Sequence, residues 1–172
     1  MMNMIACVDS NFAIGYKGSL LFNIPDDKKF FRETTLNGVV IMGRKTFESL
    51  PDRKPLSNRV NIVLSHTLDK IDGAIVVRSV DEALDKAKLY DESLALNNTY
   101  VIGGGEVYKT FLPYCDAIYL TEVNKRTWPV DAYFPDIHKM KEWKYMETLQ
   151  GGRHFAVDYY INFYERVVFD FG

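Results

Sequence analysis

Two adjacent acids, Asp26 and Asp27, stand at the predicted start of a helix, directly after Pro25. The fixed φ of proline favours the first helical position, and residues three, four and seven apart then share one face of the helix. Asp27 shares its face with Phe31 and Thr34, whereas the face of Asp26 is mostly charged. The pattern predicts that Asp27 faces inward and that Asp26 is solvated. The alternative is that both acids only stabilise the start of the helix.

An inward-facing carboxylate at position 27 implies a particular kind of ligand. Burial disfavours the charged form and raises the pKa of a carboxyl group, so the group needs a ligand or a water molecule as its partner. Its two coplanar oxygens suit a planar molecule with two adjacent N–H donors, such as an amidine, a guanidine or the edge of an aminopyrimidine. Such a carboxylate is able to bind a heterocycle and to help it gain a proton.

Three consecutive glycines in GGGE, residues 103–106, form a second candidate motif. They follow an apolar run and open a helical pattern, so the free N–H groups of a helix start would face whatever binds there. Glycines also let a bound group approach the backbone closely. This arrangement suits a pyrophosphate. The alternative is a tight turn that binds nothing.

Basic and hydroxyl side chains follow three other apolar runs. Arg44 and Lys45 begin a helix in GRKT, residues 43–46, where cations oppose the helix dipole. A bound anion would account for them, and two solvated surface cations are the alternative. Ser65 and Arg78 follow the next two runs. Because ligands of open α/β sheets bind beyond the carboxyl ends of the strands, and because a basic cluster suits the additional phosphate of NADP, these residues predict an NADPH site.

The elements that would position these residues alternate along the chain. Unbroken apolar, β-branched runs are typical of buried parallel strands. The runs are MIACV (4–8), VVIM (39–42), NIVL (61–64), AIVV (74–77) and TYVI (99–102). The helical patterns between and after them are PDDKKFFRETTL, RKTFESL, SVDEALDKAKLY and GEVYKTFL, the third with a capping box at Ser79 and Glu82. The alternation predicts an α/β fold with a mostly parallel sheet that is covered on both faces.

The last third of the chain contains strands without strong helices between them. These are AIYLTEV (117–123), KYMETL (144–149) and FAVDYYINFYERV (155–167). We expect antiparallel strands at the edge of the sheet, the last two joined by a hairpin turn at QGGR, residues 150–153. Residues 124–143 are expected to be a loop. Residues 9–24 form a long connection with glycines, which in a compact domain is usually functional and often a lid.

The composition limits the classes of function. The 172 residues fit a single domain with an ordinary core. A net charge of −2 gives no basic footprint for nucleic acid or anionic lipid, and no apolar run is long enough to span a bilayer. The N-terminal residues lack a secretory pattern, so we expect a cytoplasmic protein in which Cys7 and Cys115 are reduced and packed. Three histidines without ligand spacing argue against a metal site.

Taken together, the motifs resemble the dihydrofolate reductase family over essentially the whole chain. The most specific pair is VIMGRKTFESLP and, further on, VIGGGEVY, and the other matching segments are MIACVDSNFAIGYKGSL, NIPDD, RVNIVLS, AIYLTEV and FAVDYYINFYER. The resemblance implies three layers, with a mostly parallel eight-stranded sheet, an antiparallel C-terminal strand and four flanking helices. It also implies one domain over residues 1–172, with an adenosine-binding subdomain at roughly 38–98.

The resemblance implies NADPH-dependent reduction of 7,8-dihydrofolate to 5,6,7,8-tetrahydrofolate, by hydride transfer to C6 and protonation at N5, in support of one-carbon metabolism. It also implies binding of antifolate inhibitors, and we expect a monomer that binds neither nucleic acid nor membrane. Two alternatives stay open. A pyrimidine reductase of riboflavin synthesis shares the fold and the use of NADPH, although the acid of NIPDD disfavours it. A non-catalytic nucleotide-binding module would bind the cofactor without binding antifolates.

The resemblance also assigns roles to individual residues. Asp27 would grip the 2-amino and N3 edge of the pterin, Thr121 would support that edge, and Arg59 would bind the carboxylate of the glutamate tail. The implied catalytic set is Asp27, Phe22 and Thr121. The implied substrate-binding set is Ile5, Ala6, Asp27, Lys28, Phe31, Leu50, Arg59, Ile102 and Thr121. The implied cofactor-binding set is Ala6, Ile14, Gly43, Arg44, Lys45, Thr46, Leu64, Ser65, His66, Arg78, Ile102, Gly103, Gly104, Gly105, Glu106, Val107 and Tyr108.

Some positions depart from the family pattern. Phe22 stands where many bacterial members carry tryptophan, and it lacks the indole N–H that would donate to a water in the pocket. Lys28 occupies a position that is often apolar, and Glu106 a position where some members have a basic residue. The affinities for substrate and inhibitors are therefore expected to differ from those of the better-known bacterial enzymes. A cis peptide is expected between Gly103 and Gly104.

Overall fold

The fold is built around one eight-stranded sheet, seen in a computed structural model that describes residues 1–94 and 98–168. Residues 95–97, within the expected adenosine-binding subdomain, and residues 169–172 lie outside the described residues. The strands are β1 (Met2–Val8), β2 (Ala13–Tyr16), β3 (Ser19–Leu20), β4 (Val39–Gly43), β5 (Val60–Leu64), β6 (Ile75–Val77), β7 (Thr99–Gly103), β8 (Ala117–Val123), β9 (Ala132–Tyr133), β10 (Trp143–His154) and β11 (Val157–Arg166). The α-helices are α1 (Pro25–Thr35), α2 (Arg44–Ser49), α3 (Val80–Ser93) and α4 (Gly105–Phe111).

The strands of the large sheet lie in the order β10-β11-β8-β1-β7-β4-β5-β6. Among the described strands of this sheet, β11 alone runs in the opposite direction to the others, so its pairs with β8 and β10 are antiparallel. The other neighbouring pairs are parallel. The predicted α/β fold, with a mostly parallel eight-stranded sheet and an antiparallel C-terminal strand, is therefore confirmed.

The alternating side chains of β4 explain the three layers. Val39 and Ile41 pack into a core cluster with side chains of α3 and α4, whereas Val40 and Met42 pack into a second cluster with side chains of α1 and α2. Because successive side chains of a strand point to opposite faces of the sheet, an unbroken apolar run is buried on both sides. All four of these side chains are fully buried.

The local signals at the helix starts also agree with the structure. Pro25 is the first residue of α1, as its fixed φ predicts. At the start of α3, the N–H of Glu82 donates to Ser79 Oγ at 3.1 Å, which confirms the predicted cap. The Glu82 carboxylate accepts in turn from the N–H of Arg78 at 3.0 Å.

The hairpin turn predicted at QGGR, residues 150–153, is wrong, because these residues lie inside β10. The chain turns instead at Phe155 and Ala156, whose φ angles of 47° and 64° suit a two-residue hairpin turn. Gly152 serves close packing, since a Cβ there would collide with the buried hydroxyl and ring of Tyr159. The glycines of QGGR thus mark a strand that a ring approaches closely.

The two segments expected to be irregular, residues 9–24 and 124–143, contain short strands that pair with each other. They form a second, three-stranded sheet in the order β3-β2-β9, and residues 137–139 form a 3-10 helix. The expectation that 124–143 is only a loop is therefore wrong. Strands of two to four residues carry too little periodicity to be recognised from sequence, and here a partner distant in the chain stabilises them.

The longest helix among the described residues is α3, with 14 residues. Among the described residues, no helix combines the length and the apolar character needed to cross a membrane. Residues 1–94 and 98–168 also contain no group of three or more His, Cys, Asp or Glu side chains placed to hold a metal ion. Cys7 and Cys115 are both free thiols.

The substitution Gly152→Ala is expected to lower the free energy of unfolding by about 1–3 kcal/mol, because the added Cβ must displace the buried ring of Tyr159. Gly151→Ala is the matched control. Its Cβ would meet the ring of Tyr160 at 3.2 Å, and that ring is half-exposed and free to move. Urea denaturation measures both values, and equal stabilities would contradict the packing of Tyr159 against β10.

Candidate active site

The side chain of Asp27, in the first turn of α1, points toward the carboxyl ends of β1 and β8. Thr121 Oγ1 donates to Asp27 Oδ1 at 2.5 Å, and Cys7 on the neighbouring strand β1 is aligned with Thr121 in the sheet register. Thr121 is buried on β8, and Asp27 is partly buried. These contacts agree with the inward orientation that helix periodicity predicts for Asp27.

The neighbouring acid, Asp26, lies on the outer side of α1 and is exposed, as its charged helix face predicts. Its Oδ2 nevertheless accepts a hydrogen bond from the hydroxyl of Tyr159 at 3.0 Å. Tyr159 belongs to β11 and is almost fully buried. Asp26 therefore fastens the start of α1 to a distant strand, and this contact is invisible in the local sequence pattern.

The electrostatics of the cleft favour protonated groups. Burial raises the pKa of the Asp27 carboxyl, and the hydrogen bonds from Thr121 and Cys7 oppose this rise because they stabilise the charged form. Burial likewise raises the pKa of the Cys7 thiol, and the nearby Asp27 charge adds to the effect. Cys7 is therefore a protonated donor at neutral pH. The Asp27 carboxyl exchanges its proton closer to neutral pH than an aspartate in water does.

An apolar surface connects Asp27 with a cation at the other end of α1. Arg59 Nη1 donates to Thr35 Oγ1 at 3.0 Å, and Thr35 lies eight residues after Asp27, or about 12 Å along a helix axis. The predicted substrate residues that join one apolar cluster beside this helix are Ile5, Phe31, Leu50 and Ile102. A planar molecule held at Asp27 would therefore have an apolar path toward a fixed guanidinium group.

The glycine turn is held against β1 by a tyrosine. β7 ends at Gly103 and α4 begins at Gly105, with a cis peptide between Gly103 and Gly104. Gly103 has a φ of 118°, which favours glycine, and a Cβ there would lie 3.1 Å from the ring of Tyr108. The hydroxyl of the buried Tyr108 donates to the carbonyl oxygen of Ile5 at 2.7 Å. The turn and the central strand are thereby fixed relative to each other.

The connection at residues 9–24 lies over this turn. Ile14 Cδ1 is 3.9 Å from the position that a Cβ would take at Gly105. Asp131, in the segment just before β9, holds the connection in place. Its Oδ2 accepts from the N–H of Lys17 at 3.0 Å, and its own N–H donates to the carbonyl oxygen of Gly15 at 3.0 Å. The connection is thus positioned to cover a group bound at the glycine turn.

The sheet register brings the predicted phosphate-binding residues to one edge. The last residues of β4, β5 and β6 are aligned across the sheet, so Arg44, Ser65 and Arg78, which follow them, lie side by side. Arg44 is paired with Glu48 at 2.9 Å, and Arg78 with Asp69 at 2.9 Å. Both ion pairs are partly exposed and therefore weak, so that each arginine is able to leave its carboxylate partner and bind an anion instead.

The hydroxyl of Ser65 has a local role that the sequence does not reveal. Ser65 is almost fully buried, and its Oγ accepts from the N–H groups of Thr67 at 3.2 Å and Leu68 at 3.0 Å. Its oxygen is therefore used within its own loop, where Thr67 Oγ1 lies 3.5 Å away as a further hydrogen-bond partner. His66 and Lys45 are both exposed near this edge.

The remaining predicted residues differ in their placement. Phe22 packs in one cluster with Cys7. Lys28 and Glu106 are exposed. Ile5 and Ala6 point to opposite faces of β1 and pack in different clusters. The side chain of Ala6 therefore points away from the side of α1, and only its backbone borders the candidate site. Gly43 and Thr46 border the glycine turn. A Cβ added at Gly43 would lie 3.0 Å from Val107 Cγ2, and a Cβ added at Gly104 would lie 3.5 Å from Thr46 Oγ1.

Sequence reasoning missed Cys7 as a member of the site. A strand places residues two apart on the same face, and Ile5 is a predicted site residue. The same periodicity would have identified Cys7 as a second side chain of β1 that faces α1. No comparable signal identifies Tyr159 or Asp131, because their partners lie more than 100 residues away.

The fold and the cleft define the class of the protein. It is an α/β protein whose candidate site lies at the carboxyl ends of parallel strands, with a carboxylate on one side and a glycine turn on the other. Residues 1–166 match the family model described as "Dihydrofolate reductase". The chain therefore belongs to the dihydrofolate reductase family, whose members are NADP-dependent oxidoreductases.

Individual relatives agree with the family model. The chain is 36% identical over 143 residues to a dihydrofolate reductase of Buchnera aphidicola, which covers 83% of this chain and 84% of the relative. It is 34% identical over 152 residues to that of Bacillus subtilis, with 88% and 84% covered. Among solved structures, the dihydrofolate reductase from Enterococcus faecalis complexed with NADP(H) and RAB-propyl has a TM-score of 0.84 and 32% identity, with 96% of each chain covered.

Removal of the Tyr108 hydroxyl tests the link between the glycine turn and β1. Tyr108→Phe leaves the buried carbonyl of Ile5 without its donor and is expected to cost about 1–3 kcal/mol of unfolding free energy. Tyr114→Phe is the control, because Tyr114 is half-exposed. Chemical denaturation compares the two variants. A loss no larger for Tyr108→Phe than for Tyr114→Phe would rule out the proposed anchoring contact.

Proposed function

We propose that this chain reduces 7,8-dihydrofolate to 5,6,7,8-tetrahydrofolate with NADPH, and that Asp27 is the group that binds and orients the pterin. The hydrogen bond between Thr121 and the half-buried carboxylate of Asp27 is the observation that carries the proposal. A carboxylate that is held by its neighbours and open to a cleft needs a ligand with paired N–H donors. The aminopyrimidine edge of dihydrofolate has such a pair.

The other parts of the substrate find complementary surfaces along α1. The apolar cluster with Phe31, Leu50 and Ile102 suits the pterin and the aromatic ring that follows it. Arg59 suits the carboxylate at the end of the tail, because a guanidinium group binds a carboxylate through two parallel hydrogen bonds. Burial lowers the pKa of Arg59, with nearby Arg32 as a second cause, so an anion there would relieve an unfavourable charge.

The residues around the glycine turn fit a dinucleotide. A Cβ at Gly104 would meet only Thr46 Oγ1 within 4 Å among the described residues, at 3.5 Å, so the backbone there is open beside a hydroxyl donor. Arg44, Lys45 and Arg78 would hold the phosphates, and Ala6 and Ile14 would hold the carboxamide through their backbones. When bound, NADPH supplies the hydride that reduces the pterin at C6.

The chain's own groups manage the proton and the solvent. Asp27 orients the pterin and polarises its ring, and a water molecule delivers the proton to N5. In the described residues, no other titratable side chain of the cleft is placed for this task, because Cys7 and Tyr108 have pKa values raised by burial and stay neutral. The connection at 9–24, fastened through Asp131, excludes bulk water from the reacting atoms.

We also propose that the protein acts as a cytoplasmic monomer and binds antifolates at Asp27. The candidate site is assembled from one chain, since Thr121 and Arg59 each donate a hydrogen bond to a residue of α1, the helix that carries Asp27. Two free thiols suit a reducing compartment. Size-exclusion chromatography with light scattering tests the monomer, and thermal-shift titration with methotrexate tests antifolate binding.

The substitution Asp27→Asn is expected to lower turnover of dihydrofolate by about 10²- to 10⁴-fold at neutral pH, because the pterin loses its charged partner and its polarisation. NADPH binding should be unchanged. In the unmodified protein the rate of hydride transfer should fall as the pH rises through the raised pKa of Asp27, because the ionised site and its water supply fewer protons to N5, and the Asn variant should lose that inflection. Stopped-flow measurement of NADPH oxidation at several pH values gives both results.

Asp26→Asn is the matched control, since Asp26 is adjacent but exposed. It should retain turnover and the pH inflection. Unchanged turnover in Asp27→Asn would defeat the assignment of Asp27. Oxidation of NADPH by a riboflavin precursor rather than by dihydrofolate would instead favour a pyrimidine reductase, and cofactor binding without any turnover would favour a non-catalytic module.

A further inference from the structure

We propose that Cys7 is a positioning residue for the reaction, which donates its S–H to the Asp27 carboxylate and, together with Thr121, fixes the orientation of that carboxylate and favours its charged form. Cys7 acts through Asp27 and needs no contact with the substrate. The inference rests on the proposed role of Asp27 in substrate binding, and it adds a second protein donor to the group on which that role depends.

The sheet register places Cys7 beside the first donor. Cys7 of β1 is aligned with Thr121 of β8 in the parallel pair of strands, so the two side chains leave the same face of the sheet. Thr121 Oγ1 lies 2.5 Å from Asp27 Oδ1. A side chain at position 7 therefore projects toward the same carboxylate from the neighbouring strand, where a small donor fits.

The surroundings of Cys7 leave the carboxylate as its acceptor. Its neighbours in the cluster are the apolar side chains of Phe22, Ile24, Val123 and Val157, together with Tyr159. Tyr159 turns its hydroxyl toward Asp26, where it donates at 3.0 Å. Ile24 directly precedes α1, so the same cluster that encloses the thiol also fixes the helix start that carries Asp27.

The charges around the pair determine which group titrates. The titratable groups that face Cys7 and Asp27 are Asp26 on α1, Tyr108 on α4 and Tyr159 on β11. Burial is the main cause of the raised pKa of both tyrosines, so they stay neutral. The Cys7 thiol also stays protonated, because burial and the nearby carboxylate raise its pKa. Cys7 is thus a donor rather than a nucleophile, and its loss would raise the pKa of Asp27.

The kinetic test compares Cys7→Ala, which removes the donor, with Cys7→Ser, which keeps one of similar size. In Cys7→Ala we expect the pH inflection of hydride transfer to move upward and the KM for dihydrofolate to rise about three- to ten-fold. Cys7→Ser should return both toward the values of the unmodified protein. Cys115→Ala is the control, because Cys115 is a buried free thiol of another cluster, and it should leave the inflection unchanged.

A second measurement needs no substrate. In the Cys115→Ala protein the remaining S–H stretch belongs to Cys7, and its infrared frequency should be lowered by the hydrogen bond to the carboxylate. The frequency should change as Asp27 is protonated, and this pH dependence should be absent in Asp27→Asn. The infrared result holds even if the protein does not reduce dihydrofolate, so a failure of the proposed function is distinguishable from a failure of the Cys7 contact.

Three outcomes would overturn the role of Cys7. The first is a Cys7→Ala variant whose inflection and KM match those of the unmodified protein. The second is an equal shift in Cys7→Ala and Cys7→Ser, which would indicate a packing effect alone. The third is an S–H stretch that is insensitive to the protonation of Asp27. An upward shift in Cys7→Ala with recovery in Cys7→Ser supports it.

Discussion

The hydrogen bond between Thr121 and Asp27 is the interaction on which the site depends. It joins two residues 94 positions apart, one in the first turn of a helix and the other on a central strand. Burial alone would disfavour a charged carboxylate at this place. The hydrogen bond from Thr121 on β8 offsets part of that cost and fixes one oxygen of the carboxylate. The group is therefore both costly to bury and ready for a ligand, a combination typical of functional sites.

The scaffold fixes the two sides of the candidate site relative to each other. β1 lies in the middle of the sheet with a parallel neighbour on each side, and the Tyr108 hydroxyl links it to the glycine turn. Asp26 and Tyr159 fasten the outer side of the helix start. The cover over the turn consists of short strands, which are fixed by buried side chains such as Ala13 and by the hydrogen bonds of Asp131. These contacts fix the groups of the candidate site relative to one another.

The parts of this architecture that short-range rules specify were predictable from the sequence. The unbroken runs of β4 and its neighbours indicate buried parallel strands, and Pro25, Ser79 and the helix period indicate how α1 and α3 begin and which acid turns inward. The errors arise where two distant segments determine the outcome together. Gly152 resembles a turn residue until the ring of Tyr159 is seen to cover it. Cys7 resembles a packed core residue until the sheet register places it beside Thr121, the residue that binds Asp27. Neither partner is adjacent in sequence, so local patterns cannot reveal them.

The most direct test of this account is the titration of the Asp27 carboxyl itself in the ligand-free protein. Carbon-13 NMR of protein labelled at the aspartate carboxyl carbon follows the group, and the spectrum of Asp27→Asn assigns its signal. The account predicts a pKa above that of an ordinary aspartate, and a further rise in Thr121→Val, because burial persists while a donor to the charged form is lost. A pKa at or below the ordinary value, or one that Thr121→Val leaves unchanged, would contradict it.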